Sequence, residues 1–397
     1  MAKQEQIVYI QRLFVIDVVY LLLRYNIVII GEIMALYTLK TKLGIILSIF
    51  LVFMLLGSCA SARNKRFGGR ESRDYDKANI AVCAQNIKPV TSGYGAEGPY
   101  RMGVLRMRNP MWRRKPINVF YPEGYGGKAP TIFFSHAYGA TNWETAYPDL
   151  IRNVVSNGYV LVYVPYKTLR ADVNERYETL WNGFLAAVER YGNLMDLSRV
   201  AFVGHSFGGG ATPAMAYKGF VEQGWGAQGR FMFIMAPWYT YNISQSQLQN
   251  FPQDTFLMVQ VYDQDKVNDH RMAIDLFRNI ALPGQNKKFL IVPSQSHNGC
   301  MIVADHVTPG KNPFLALKSW AVFRPLAFLA DYTFRRREEA RKVLAGDGNT
   351  YPMGRWIDGT LYPPIRIDNT PQPEHPQSFY KFPWNSRKNP RKAYSSF

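Results

Sequence analysis

From about residue 100 onward, short runs of consecutive apolar residues alternate with segments in which apolar residues recur every three or four positions. Short apolar runs bounded by turn residues predict strands buried on both faces, and the 3.6-residue recurrence predicts amphipathic helices. The runs at 104–107 and 117–121 read as an opening antiparallel pair. Those at 131–135 (TIFFS), 159–164 (YVLVYV), 200–203 (VAFV), 231–235 (FMFIM), 256–262 (FLMVQVY) and 289–292 (FLIV) read as buried strands. Between them, Thr141 and Glu144 have the spacing of a capping box, which predicts a helix running to Val155. Leu180, Phe184, Leu185 and Val188 predict a second helix, and 211–217 a third. Strands alternating with helices predict an α/β domain with a mostly parallel, eight-stranded sheet covered by helices on both faces. The pattern shows no internal repeat and ends near Leu344. The remainder, 345–397, is rich in Pro, Tyr, Trp and Arg without periodicity, and is expected to wrap the surface or to be partly disordered.

The N-terminal part follows a different rule. Residues 40–61 read KTKLGIILSIFLVFMLLGSCAS, in which two lysines precede an apolar run from Leu43 to Leu56. That run has the length of a signal-peptide core and falls short of the ~20 residues of a membrane-spanning helix. It closes on Gly57, Ser58 and Cys59, which resembles the lipobox of bacterial lipoproteins, where the cysteine thiol accepts the acyl group. A plain signal anchor with an incidental cysteine is the alternative. Met34 stands where such a signal would begin, so translation is expected to start there, with 1–33 as an upstream segment. The expected organisation is a signal at 34–58, a polar linker at 59–84, a catalytic domain at 85–344 and a C-terminal extension at 345–397.

Composition narrows the function classes. In 397 residues the formal net charge is +18 and apolar residues make up 47%. The mean hydropathy of -0.19 excludes a polytopic membrane protein, since apolar residues concentrate only near the N-terminus. The basic residues form short clusters at Arg113–Lys115, Arg335–Arg337 and 387–392 rather than one tract. No zinc-finger spacing, RNA-recognition signature or helix-turn-helix accompanies them, so nucleic acid is not expected as a partner. Three cysteines, Cys59, Cys83 and Cys300, lack the paired spacing of a zinc site. Cys83 and Cys300 are expected either as one bridge in an oxidising compartment or as two buried thiols.

The chemistry centres on Gly204-His205-Ser206-Phe207-Gly208, a G-x-S-x-G stretch between a predicted strand and a predicted helix. That context is what the nucleophile-elbow motif requires. A serine hydroxyl needs a base and a group that orients the base. In the order Ser, acid, His that α/β-hydrolases follow, the candidates lie on loops beyond two later strands. Asp265 is preferred to Asp263 because it stands farther past its strand. His297, in PSQSH directly after FLIV, is preferred to His306, the one serious rival among six histidines. His136 and His205 flank the presumed oxyanion loop and the elbow, His270 starts a helix and His375 lies in the tail. The backbone N–H groups of Tyr138 and Phe207 are the expected oxyanion hole.

The ordered set GPY at 98–100, VFYP at 119–122, SHAYGAT, GHSFGGG, APW at 236–238, DQDKV and FLIVPSQSH resembles the cutinase-like polyester hydrolases. It is also similar to the dienelactone-hydrolase and platelet-activating-factor acetylhydrolase-like families. The resemblance spans roughly Gly98 to His306 and implies an α/β-hydrolase fold with Ser206, Asp265 and His297 as triad. It further implies Tyr138 and Trp238 as walls of a groove for a small or polymeric ester. No metal or organic cofactor is implied. The expected activity is carboxylic ester hydrolysis by a lipoprotein of the cell envelope or by a secreted enzyme, with membrane attachment through Cys59. Two alternatives use the same fold: an envelope protein that only binds, and a peptidase or thioesterase with the same triad.

Overall fold

The computed structural model describes residues 77–395 and 397. The expected signal at 34–58, Cys59 and the upstream segment lie outside these residues. The architecture is mixed α/β. Its centre is a sheet ordered β1-β2-β4-β3-β5-β6-β7-β8-β12-β11. The strands are β1 (Arg101–Met107), β2 (Ile117–Glu123), β3 (Ala129–Ser135), β4 (Val160–Tyr163), β5 (Met195–His205), β6 (Gly229–Met235), β7 (Phe256–Tyr262), β8 (Lys287–Val292), β11 (Thr350–Tyr351) and β12 (Ile365–Asp368). A separate small hairpin pairs β9 (Gln295–His297) with β10 (Cys300–Ile302). The six central strands, β4 through β8 in sheet order, run parallel. Antiparallel pairs flank them at both ends.

The sheet therefore has ten strands where the apolar runs predict eight. Both additional strands come from the segment beyond Ala345, where the apolar pattern predicts none. Ile365 and Ile367 are buried and Arg366 is exposed, so β12 alternates with period two. It is too short and polar to register as a continuous apolar run. Helix Lys77–Asn86 is a second departure, since it lies in the stretch expected to be linker.

Strand residues alternate between two cores. On one face Phe120, Phe134, Tyr163, Val203, Phe233 and Met235 meet helices Pro148–Ser156 and Arg324–Arg335. On the other, Phe133, Val162, Phe202, Met232, Ile234 and Val259 meet helices Val173–Tyr191, Phe207–Tyr217 and Arg271–Asn279. Fully buried strands read as unbroken apolar runs because both faces are covered, which is why the central strands are plain in the sequence. Their carboxyl ends share one edge of the sheet, and the loops leaving that edge bring the chemistry-bearing residues together.

A disulfide joins Cys83 on the first helix to Cys300 on the β9–β10 hairpin. Of the two expectations for these cysteines, the bridge is the one realised.

Candidate active site

Strand β5 ends at His205 and helix Phe207–Tyr217 begins one residue later, so Ser206 carries the whole reversal. Its backbone sits at φ 58 and ψ -119, a conformation that L-residues rarely adopt. Such a turn requires glycine on both sides. A Cβ at Gly204 would lie 2.1 Å from Thr212 Oγ1, and one at Gly208 would lie 1.9 Å from the Ser135 carbonyl oxygen. The strain is held by backbone bonds. Ser206 N–H donates to the Met235 carbonyl at 3.0 Å, and the Ser206 carbonyl accepts from Trp238 N–H at 2.8 Å.

The Ser206 hydroxyl lies 2.9 Å from Nε2 of His306, and Nδ1 of His306 lies 2.8 Å from Asp265 Oδ2. Asp265 is fully buried, and its other oxygen accepts the Val267 and Asn268 N–H groups at 2.7 and 3.3 Å. Burial alone would raise this carboxyl's pKa. The charge and hydrogen bond of His306, the His270 ring and the Val267 N–H together hold it below the ordinary value. An ionised Asp265 fixes the His306 tautomer: Nδ1–H donates to the carboxylate and Nε2 accepts the Ser206 hydroxyl.

The expected base, His297, is elsewhere. It sits on β9, its Nε2 2.7 Å from Asp358 and its ring 5.1 Å from that of Trp356. The reason is the hairpin. The chain leaving β8 does not go directly to the site but turns out and back through Asn298 and Gly299, both at positive φ. It rejoins at Ala304, whose carbonyl accepts the Gln264 N–H beside the acid at 3.0 Å. Asn-Gly between the alternating stretches QSH and CMI is a hairpin signal available in the sequence. That hairpin leaves His297 on the outward arm, and the histidine that meets Ser206, His306, follows the return arm. Asp263, the alternative acid, accepts Ser294 N–H and Oγ–H at 2.8 and 2.5 Å, so it ties down the start of the loop after β8.

The two residues expected to supply oxyanion donors lie at a helix start and on the loop after β3. Phe207 opens its helix, where the first N–H groups have no intrahelical acceptor. Tyr138 stands on the loop after β3, half exposed, with its hydroxyl donating to the Thr168 carbonyl. The Arg176 guanidinium covers the Tyr138 ring at 5.2 Å and the Phe207 ring at 5.7 Å. Trp238 is half-buried, with its ring 5.8 Å from Phe207.

Two residues beyond the triad connect its loops. His205 Nε2 lies 2.7 Å from the His306 carbonyl oxygen, and a carbonyl only accepts, so Nε2 carries the proton. Nδ1 of His205 then accepts the Tyr147 hydroxyl at 2.8 Å, while the Tyr147 oxygen accepts Ala137 N–H at 3.0 Å. One directional chain of hydrogen bonds thus runs from the loop after β3 to the backbone of His306. Burial, reinforced by the charge of His306, pushes the His205 pKa down to about 3 and keeps the ring neutral. His136, whose ring stacks on Tyr166 at 4.1 Å, is likewise held neutral by burial at about 4.

Among the described residues, no group of three or more His, Cys, Asp or Glu side chains is placed to hold a metal ion. The chain matches no protein-family model and no curated relative. What the site can do therefore rests on its own geometry: a buried acid, an imidazole and a strained serine hydroxyl in hydrogen-bonded series, beside backbone donors at a helix start.

Proposed function

We propose that the chain is a serine hydrolase of carboxylic esters on an α/β-hydrolase fold. The observation that carries this reading is the Ser206–His306–Asp265 relay at a strand-to-helix elbow. A strained serine with a base at hydrogen-bonding distance and an ionised acid behind it is the arrangement of acyl-transfer catalysis.

In the proposed reaction the ester carbonyl lies against the Tyr138 and Phe207 N–H groups. Ser206 Oγ attacks the carbonyl carbon as its proton passes to His306 Nε2, and the imidazolium is stabilised by Asp265. The tetrahedral oxyanion accepts both N–H groups, and each such donor contributes about 2.7 to 4 kcal/mol in comparable sites. Collapse breaks the ester C–O bond, and His306 returns its proton to the departing alcohol. Water then attacks the acyl-serine by the same route in reverse and releases the acid. The exposed Tyr138 and half-buried Trp238 support an open groove, in line with the cutinase-like resemblance. The Cys83–Cys300 disulfide supports an exported, oxidising location, consistent with a signal at 34–58 and lipid attachment at Cys59.

The test is hydrolysis of p-nitrophenyl butyrate by the purified domain beside Ser206→Ala. Release of p-nitrophenol by the wild type, with a loss of at least about a thousandfold in the variant, is expected. Equal rates in the two proteins would end the ester-hydrolase reading.

A further inference from the structure

The C-terminal segment is stitched to the loop that carries the acid. Lys381 N–H donates to the Lys266 carbonyl at 2.8 Å and Phe382 N–H to the Val267 carbonyl at 2.9 Å. In return, Asp269 N–H donates to the Phe382 carbonyl at 3.2 Å. The buried Asp269 carboxylate accepts Trp384 N–H at 2.9 Å. The same segment holds the loop after β6. The Tyr239 hydroxyl donates to the Pro383 carbonyl at 2.8 Å, and that of Tyr241 to the Lys388 carbonyl. Farther on, Arg391 and Asp275 form a buried ion pair on helix Arg271–Asn279.

This stitching builds a third apolar cluster apart from the two sheet cores. Its base is buried Tyr239, Met272 and Trp384, and against it lie the partly buried Trp238, Tyr241 and Phe382. Tyr241 stacks on Trp238 at 5.8 Å, and Phe382 meets the Trp238 ring edge-on at 6.0 Å. Trp238 in turn hydrogen-bonds the Ser206 carbonyl through its own N–H. Aromatic ring contacts therefore continue from buried Phe207 beside the serine, across the half-buried Trp238, onto the half-buried Phe382 ring supplied by the tail.

We propose that Phe382 is a specificity-determining residue of the ester site: with Trp238 it forms an aromatic shelf that receives the apolar chain of the substrate beyond its scissile group. The inference rests on the ester-hydrolase reading. It assigns the substrate class as esters bearing a long aliphatic or aryl chain, and it makes the C-terminal extension part of the substrate site. The main-chain bonds of residues 381–384 to the acid loop do not depend on the Phe382 side chain, so truncating the ring removes shelf surface while leaving the stitching in place.

The experiment compares Phe382→Ala, Phe382→Leu and wild type on two ester series, with thermal unfolding of each protein alongside. One series varies the acyl chain from acetyl to octanoyl on p-nitrophenol. The other varies the alcohol from ethyl to octyl on acetate. In Phe382→Ala, kcat/KM for the long member of one series is expected to fall about tenfold, mainly through KM, with the short member changed by less than about twofold. Phe382→Leu is expected to recover most of the loss. Whichever series responds assigns the shelf to the acyl or the alcohol side. A uniform fall across all chain lengths, or unchanged ratios in both series, would overturn the proposal. Absence of activity in the wild type would instead strike the ester-hydrolase reading itself.

Discussion

At the residue scale, one imidazole is placed to take the serine proton and another is not, and the difference is measurable. His306→Ala is expected to lower kcat/KM on the butyrate ester by about 10^4-fold, because Ser206 then has no proton acceptor. His297→Ala is expected to stay within about twofold, since its hydrogen bond to Asp358 is at the surface. The opposite ranking would show that the relay found here is not the working one. Tyr147→Phe probes the hydrogen-bond chain behind the relay. It removes the donor to His205 Nδ1 and the acceptor of Ala137 N–H, leaving one buried and one partly buried group unpaired. A stability loss of about 1 to 3 kcal/mol in denaturant unfolding is expected. A fall in kcat larger than the rise in KM should accompany it, because the oxyanion loop and the His306 backbone lose their common tie. Ser206 and Asp265 were legible in the sequence because Ser206 directly follows a plain strand and Asp265 lies on the short loop just beyond another. His306 was not, since the distance along the chain from β8 misleads when a hairpin intervenes.

At the element scale, what the apolar pattern revealed was the parallel centre of the sheet, where burial on both faces leaves continuous runs. What it hid were elements whose reason for forming is tertiary. The strands of the tail are short, and β12 exists because the edge of β8 offers unpaired backbone groups: Arg366 pairs with Ile291 and Ile367 with Leu290. The helix at Lys77–Asn86 has no amphipathic stripe, and its place is fixed instead by the bridge to Cys300 and by the Ile357 N–H bond to the Asn86 carbonyl at 2.8 Å. The disulfide closes a loop across 217 positions, so its removal relaxes the unfolded chain greatly. Cys83→Ala combined with Cys300→Ala is expected to cost about 2 to 5 kcal/mol of unfolding free energy. Activity at 25 °C is expected to be retained, because the hairpin it anchors does not carry the base. An unchanged unfolding midpoint would show that the bridge contributes nothing to stability.

At the scale of the whole molecule, acid is the condition the fold is least built to withstand. His136 and His205 are held neutral by burial, at about 4 and about 3, against an ordinary histidine value near 6.5. Their folded-state pKa values are lowered, so below about pH 6.5 the unfolded chain binds protons that the native one refuses. Stability is therefore full above that pH and declines as pH falls towards 4. Each histidine withdraws on the order of 3 kcal/mol over that interval. Asp265 adds to the acid side in the same sense, since its lowered carboxyl must be protonated as His306 loses its partner. Denaturant titrations at pH 7, 5.5 and 4 should show the loss, with a smaller loss in His205→Gln. A flat profile would mean that these rings are not buried in solution.

The stitching of the tail also sets an order of events. Residues 381–384, which tie down the Asp265 loop, are synthesised after Ser206, Asp265 and His306. A growing chain can complete its central strands while the Asp265 loop is still untied on that side. Full assembly of the site thus waits for synthesis of residues 381–384, so chain order acts as a clock.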